Sequence, residues 1–183
     1  MEARSIRTLR PNVTREEAIR AFTAPGVASL YWKLHGPLQR IADAYVPFRL
    51  YHVRYNLAGA THSHLFAMDA VDGSLDLFEF AAPPSDCETM AFSSRNHPHS
   101  ALAQSQALEL LREKVLRLIF QQGFFKVHRP KLGIEELSEH IHLPYWLGLY
   151  GSRDRLRCRV MDAVRRRIEG SRASALFEQW LAA

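Results

Sequence analysis

Six of the nine histidines form three His-x-His pairs, His62/His64, His97/His99 and His140/His142. In a strand, residues i and i+2 share a face, so such a pair presents two imidazoles side by side, as a zinc site requires. A third ligand is missing from the pattern. No His-Glu-x-x-His motif occurs, and Asp69, the carboxylate nearest the first pair, has the opposite parity to His62 and His64. The pairs also fall in unlike contexts, read as a strand, a loop and a helix end. Hydrogen-bonded or solvated imidazoles are therefore expected, and no metal is assigned. A metal-dependent hydrolase using the His-x-His pairs stands as one alternative.

The second constellation is cationic. From Pro144 onward the chain carries eight arginines against four acids, whereas the whole sequence has a formal charge of only +5. Arg155, Arg157 and Arg159 alternate with Leu156, Cys158 and Val160, so a strand would put the arginines on one face, suited to phosphate or carboxylate. Tyr145, Trp146 and Tyr150 lie nearby in sequence. Stacking groups beside cations bind single-stranded nucleic acid, which makes phosphate or nucleic-acid binding a second alternative. No recognition motif accompanies them.

The remaining reactive groups read as structural. Asp69 and Asp162 each end an apolar run before a turn, where a carboxylate accepts backbone N–H groups. Cys158 shares the apolar parity of its strand, and Cys87 lies between Asp86 and Glu88, whose charges oppose thiolate formation. Neither is a catalytic candidate. There is no Gly-x-Ser-x-Gly, phosphate-binding glycine loop or dinucleotide fingerprint, so no cofactor and no catalytic residue is assigned.

These residues need elements to hold them, and the composition supplies a packable chain. Its 183 residues are 47% hydrophobic, 23% charged and 10% aromatic, unlike disordered, collagen-like or coiled-coil sequences. No apolar run reaches the roughly 20 residues of a membrane span. The charged start MEARSIRTLRPN lacks an apolar signal region, and with only two cysteines a reducing, cytoplasmic location is expected.

An internal repeat organises the chain. Arg10-Pro11 to Ala18 returns as Arg129-Pro130 to Leu137, Pro47-Phe48-Arg49-Leu50 as Pro144-Tyr145-Trp146-Leu147, and Met68-Asp69-Ala70-Val71 as Met161-Asp162-Ala163-Val164. Thr14-x-x-Glu17 is a capping box opening a helix to about Phe22, after a strand near Ser5–Arg10. In the second copy Phe124–Arg129 reads as the strand and Gly133–His140 as the helix. Hairpins follow, Phe48–Leu57 with His62–Asp69 and Tyr145–Tyr150 with Asp154–Asp162, turning at Ala58-Gly59 and Gly151-Ser152. Third strands are expected at Ser74–Phe80 and Arg167–Gly170. A helix Ala101–Gln122, capped by Ser100 and striped by Leu108, Leu111, Val115 and Leu118, closes the first copy. Ser171 caps the second, striped by Leu176, Phe177, Trp180 and Leu181.

The expected fold is α+β, two copies of a β-α-β-β-β-α unit with antiparallel sheet forming one body. Residues 1–122 make the first repeat, with an insert at 25–45 and a long loop at 81–100; residues 123–183 make the second. Glu16-Glu17-Ala18 in the opening helix, then alternating strands ending in Met68-Asp69-Ala70-Val71-Asp72-Gly73 and an apolar strand, resemble PepSY-type domains. The resemblance covers residues 13–80 and, more faintly, 132–169, where Arg165-Arg166 replace the Asp-Gly turn. It implies a regulatory or inhibitory accessory module. The sequence thus reads as a binding protein rather than an enzyme, its partner a protein or peptide. Its expected contacts are Arg155, Arg157 and Arg159, together with His62, His64 and Phe66 on the matching face of the first copy, a face the insert is expected to cover.

Overall fold

A computed structural model describes residues 4–25, 32, 34–57, 59–121, 130–151 and 156–182. These hold eight strands in chain order: β1 (Arg4–Leu9), β2 (Leu38–Leu57), β3 (Ala60–Asp69), β4 (Phe78–Phe80), β5 (Thr89–Ser94), β6 (Leu132–Tyr150), β7 (Arg157–Asp162) and β8 (Arg167–Ile168). Three helices join them, α1 (Arg15–Thr23), α2 (Gln104–Gln121) and α3 (Ser171–Ala182). The fold is mixed α+β with mainly antiparallel pairing among the described residues; β1 pairs with β6 in parallel. No helix of the described residues is long and apolar enough to cross a membrane.

Contacts divide the chain into two units, Met1–Val46 with Asp86–Pro98 and His142–Ala183, and Pro47–Ser85 with His99–Ile141. Each draws on residues from both sides of position 122. In the first unit, Thr14 accepts from the Glu17 N–H while Glu17 accepts from the Thr14 N–H, the expected capping box, and it opens α1. Ala18 and Phe22 of α1 are buried with Val13 against Met161 and Ala163, and Trp146 packs alongside. The Trp146 indole donates to the Val13 carbonyl at 2.9 Å. On α3, Ala173, Leu176 and Phe177 are buried, and Phe177 meets Tyr145 with ring centroids 5.7 Å apart. Burial of each phenylalanine contributes roughly 2–3 kcal/mol.

In the second unit, β2 and β3 form a hairpin in register from Phe48↔Asp69 to Leu57↔Ala60, and β4 adds beside Leu65–Ala67. The core joins Tyr51, Val53, Tyr55, Phe66 and Met68 to α2. Ala107, Leu111, Val115 and Ile119 form its buried stripe. That stripe follows an i, i+4 row rather than the expected one, so Leu118 is exposed.

Several sequence expectations are corrected. Gly133–His140 belongs to β6, not a helix: pairing with β2 satisfies its backbone, and tertiary context overrides the helix-like Glu135-Glu136-Leu137. His140 and His142 therefore lie on a strand, not at a helix end. The 81–100 segment contains β5, whose six residues pair with β1. The insert yields residues from 38 onward to β2. Ser74–Phe80 is strand only over Phe78–Phe80 and Arg167–Gly170 only over Arg167–Ile168. α2 starts at Gln104, because Ala101 and Leu102 instead donate to the Ala70 carbonyl. The expected strand at 124–129 lies outside the described residues.

The two hairpins nonetheless end alike. Phe48 faces Asp69 and Tyr145 faces Asp162. Ala70 N–H donates to Pro47, and Ala163 N–H to Pro144. The Ala70 carbonyl accepts from the lead-in of α2, whereas the Ala163 carbonyl accepts from Asn12, in the lead-in of α1. The helix attached to the second hairpin is thus the one the sequence had placed with the first.

Candidate functional site

The β2–β3 register sorts side chains onto two faces of the second unit. Tyr55, His62, His64 and Phe66 share one; His52, Ser63 and Leu65 share the other. Across β4, Glu79 pairs with Phe66 and Phe80 with Leu65, which extends both faces by one strand.

The first face carries a ladder of nearly parallel rings. His62 and His64 are 6.3 Å apart at 6°, Tyr55 stacks on both, and Phe66 follows His64 at 5.5 Å. His64 Nδ1 lies 2.6 Å from Glu79 Oε1, and His64 Nε2 lies 3.2 Å from the Tyr55 hydroxyl. Burial, and then the Glu79 charge, push the Tyr55 phenol above its ordinary range. A protonated phenol donates to Nε2, leaving Nδ1–H to donate to the carboxylate. Both imidazole nitrogens are thereby engaged, and a metal could bind only by displacing a partner. Among the described residues no three His, Cys, Asp or Glu side chains are grouped to hold a metal ion.

Parity on this strand is as expected, whereas residues 26–31 and 33 of the insert expected to cover it lie outside the described residues. Phe66 is a core residue packed with α2, because this is the apolar face of the hairpin. The insert's Trp32 meets Tyr150 at 5.0 Å in the first unit.

The arginine row also divides. Arg155 lies outside the described residues. Arg157 keeps about half its side chain exposed, 52%, and pairs with Glu178 at 3.1 Å. Arg159 is 9% exposed; its Nη1 donates to the Phe22 carbonyl at the end of α1, and its guanidinium lies 6.0 Å from the Phe22 ring. A cation near a helix C-terminus interacts favourably with the dipole. Arg159 is thus committed to packing, as Phe66 is. Cys158 is buried, with its thiol pushed up to about 12 by burial and then by Glu178. Asp69 and Asp162 accept backbone N–H groups in their turns, as expected. Of the other histidines, His97 and His142 approach edge-on at 6.3 Å.

The second face opens into a cavity of about 440 Å³. His52, Ser63, Leu65, Phe80 and Leu137 line it, together with Ala81, Ala82, Pro83, His64 and Glu79. His52 Nε2 and Ser63 Oγ are bonded at 2.6 Å across the strands. Among the described residues no carboxylate holds the other ring nitrogen of His52, so the oriented base of a serine nucleophile is incomplete. β4 ends at Phe80, opposite Leu65, and the chain then bends away. Ala60–His64 consequently has β2 on one side and, among the described residues, no strand on the other.

His52, Ser63, Glu79, Phe80 and Leu137 were absent from the sequence-level site. The signal for two of them was present: a tight turn at Gly59, where φ is 83°, sets Leu57 against Ala60 and hence His52 and Ser63 onto one face. Glu79, Phe80 and Leu137 arrive through β4 and β6, whose pairings are long-range. Comparison with protein-family models, curated proteins and solved structures returns no match.

Proposed function

We propose that this chain is a non-catalytic peptide-binding module that takes an extended segment along the free side of β3 and lodges one of its apolar side chains in the neighbouring cavity. One observation carries the reading: the 440 Å³ cavity lies where β4 stops and where Ala60–His64 lacks a second strand among the described residues. An edge strand offers alternating N–H and C=O groups to an added strand, and a side pocket supplies selectivity. The cavity is large enough for an aromatic side chain, and Leu65, Phe80 and Leu137 give it apolar walls. A regulatory role agrees with the PepSY resemblance and belongs to the same proposal, as does a cytoplasmic site of action.

We also infer that the two hairpins are copies of one unit. The shared Pro–Asp–Ala bonding supports this, with α2 serving the first hairpin and α1 the second.

The test is titration with the hexapeptide Thr-Phe-Thr-Val-Thr-Val. Saturable one-to-one binding is expected, with amide exchange slowed over Ala60–His64. Ala82 lines the cavity and is exposed, so Ala82→Trp should fill the cavity without unfolding the chain and weaken binding at least tenfold. Unchanged affinity in Ala82→Trp, or no binding by the intact protein, overturns the proposal.

A further inference from the structure

The open side of β3 is blocked at one end. Phe80 already occupies the position opposite Leu65, so an added strand can continue no further than the residue facing His64. A chain that stops there presents a terminus, and the charge beside it selects which one. Glu79 reaches forward from its place opposite Phe66 to bond His64 through Oε1, and its side chain remains 56% exposed. Among the described residues its Oε2 accepts no hydrogen bond. A carboxylate at that place attracts a terminal ammonium and repels a terminal carboxylate. Direction follows from charge. A strand with its amine beside His64 runs antiparallel to β3, as β4 does, and antiparallel pairing is the more stable arrangement.

Resting on the peptide-binding reading above, we propose that the site recognises the free N-terminal segment of its partner, the terminal ammonium held by Glu79. The first residue then faces His64 and shares its side of the sheet. The second faces Ser63 and directs its side chain to the cavity between Ser63 and Phe80. An apolar second residue is therefore preferred.

The experiment compares Thr-Phe-Thr-Val-Thr-Val with its N-acetylated form on the intact protein. Acetylation removes the charge and should weaken binding about tenfold or more. In Glu79→Gln, checked for unchanged folding by circular dichroism, the free peptide should fall to the affinity of the acetylated one, which itself should barely change. Moving the phenylalanine from second to first position should also weaken binding. Equal affinity of the two forms in the intact protein overturns this inference while leaving peptide binding standing. Failure of both forms to bind overturns the peptide-binding reading and this inference with it.

Discussion

The turns that follow β3 and β7 solve one problem by different means. Each begins with a fully buried aspartate. Among the described residues Asp69 relies on backbone alone, accepting from Asp72, Gly73 and Leu75 at 2.8–3.1 Å. Asp162 accepts, among the described residues, from two backbone N–H groups, those of Val164 and Arg165, and adds the Arg165 guanidinium at 2.6 Å. Arg165 in turn contacts Glu169, which also pairs with Arg167. The backbones nevertheless reach the same left-handed conformation at matched places, with φ of 72° at Gly73 and 57° at Arg166. Glycine adopts it freely, whereas arginine carries a steric cost of about 1–2 kcal/mol. Contacts offset that cost. The Arg166 guanidinium donates to the Asn12 carbonyl and lies 3.8 Å from Glu17, and Asn12 bonds the Ala163 and Val164 backbone. The glycine of one turn is thus replaced, in the other, by an arginine with side-chain ties to the start of α1.

The largest effect should come from removing the aspartates. Asp69→Ala leaves two buried N–H groups, of Gly73 and Leu75, and the part-buried one of Asp72 without that acceptor, and should cost about 3 kcal/mol in denaturant unfolding, against about 2 kcal/mol for Asp162→Ala. The reverse order would show that the Arg165 ion pair outweighs the extra backbone bond. Next comes Gly73→Ala, which adds a Cβ 2.8 Å from Leu110 Cδ1 at a positive φ and should destabilise by about 1–2 kcal/mol. A neutral result would erase the distinction between the turns. Arg166→Ala loses the side-chain ties and keeps the strain, whereas Arg166→Gly loses the ties and relieves it. The glycine variant should therefore be more stable than the alanine variant by about 1 kcal/mol, read as a shift in melting temperature.

The smallest effect is a pH dependence. Burial pushes the Asp69 carboxyl above its ordinary range despite its three N–H partners. A folded pKa above the unfolded one means that the folded chain holds the proton more tightly, so this contribution to stability is complete below the unfolded value and is lost as pH rises through the folded value. The stability of the intact protein relative to Asp69→Asn should accordingly rise as pH is lowered from neutrality through the Asp69 transition. A flat difference over that window would place the carboxyl in a more polar setting than its burial indicates.

Much of this was readable in the chain where the determinants are local. The Thr14–Glu17 capping box, the hairpins around Gly59 and Gly151, and the acceptor role of Asp69 and Asp162 all depend on residues a few positions apart. Where the determinant is distant, local pattern misleads. Glu135-Glu136-Leu137 resembles the opening of α1, yet pairing with β2 makes it strand. Thr89–Ser94 gives little sign of a strand until β1 lies beside it. Alternation correctly grouped His62, His64 and Phe66, and likewise Arg157 with Arg159, but parity says only which residues share a face. It does not say what covers that face.

The sequence by itself determined the α+β class, the capping box, the paired aspartate turns and the face-sharing of alternating residues, because short-range sterics and hydrogen bonding decide those. Tertiary structure alone decided that α2 covers Phe66, that Arg159 serves the end of α1, and that His52, Ser63, Phe80 and Leu137 surround one cavity. Those outcomes depend on which apolar surfaces and strand edges meet across long stretches of chain, and no local preference encodes that choice.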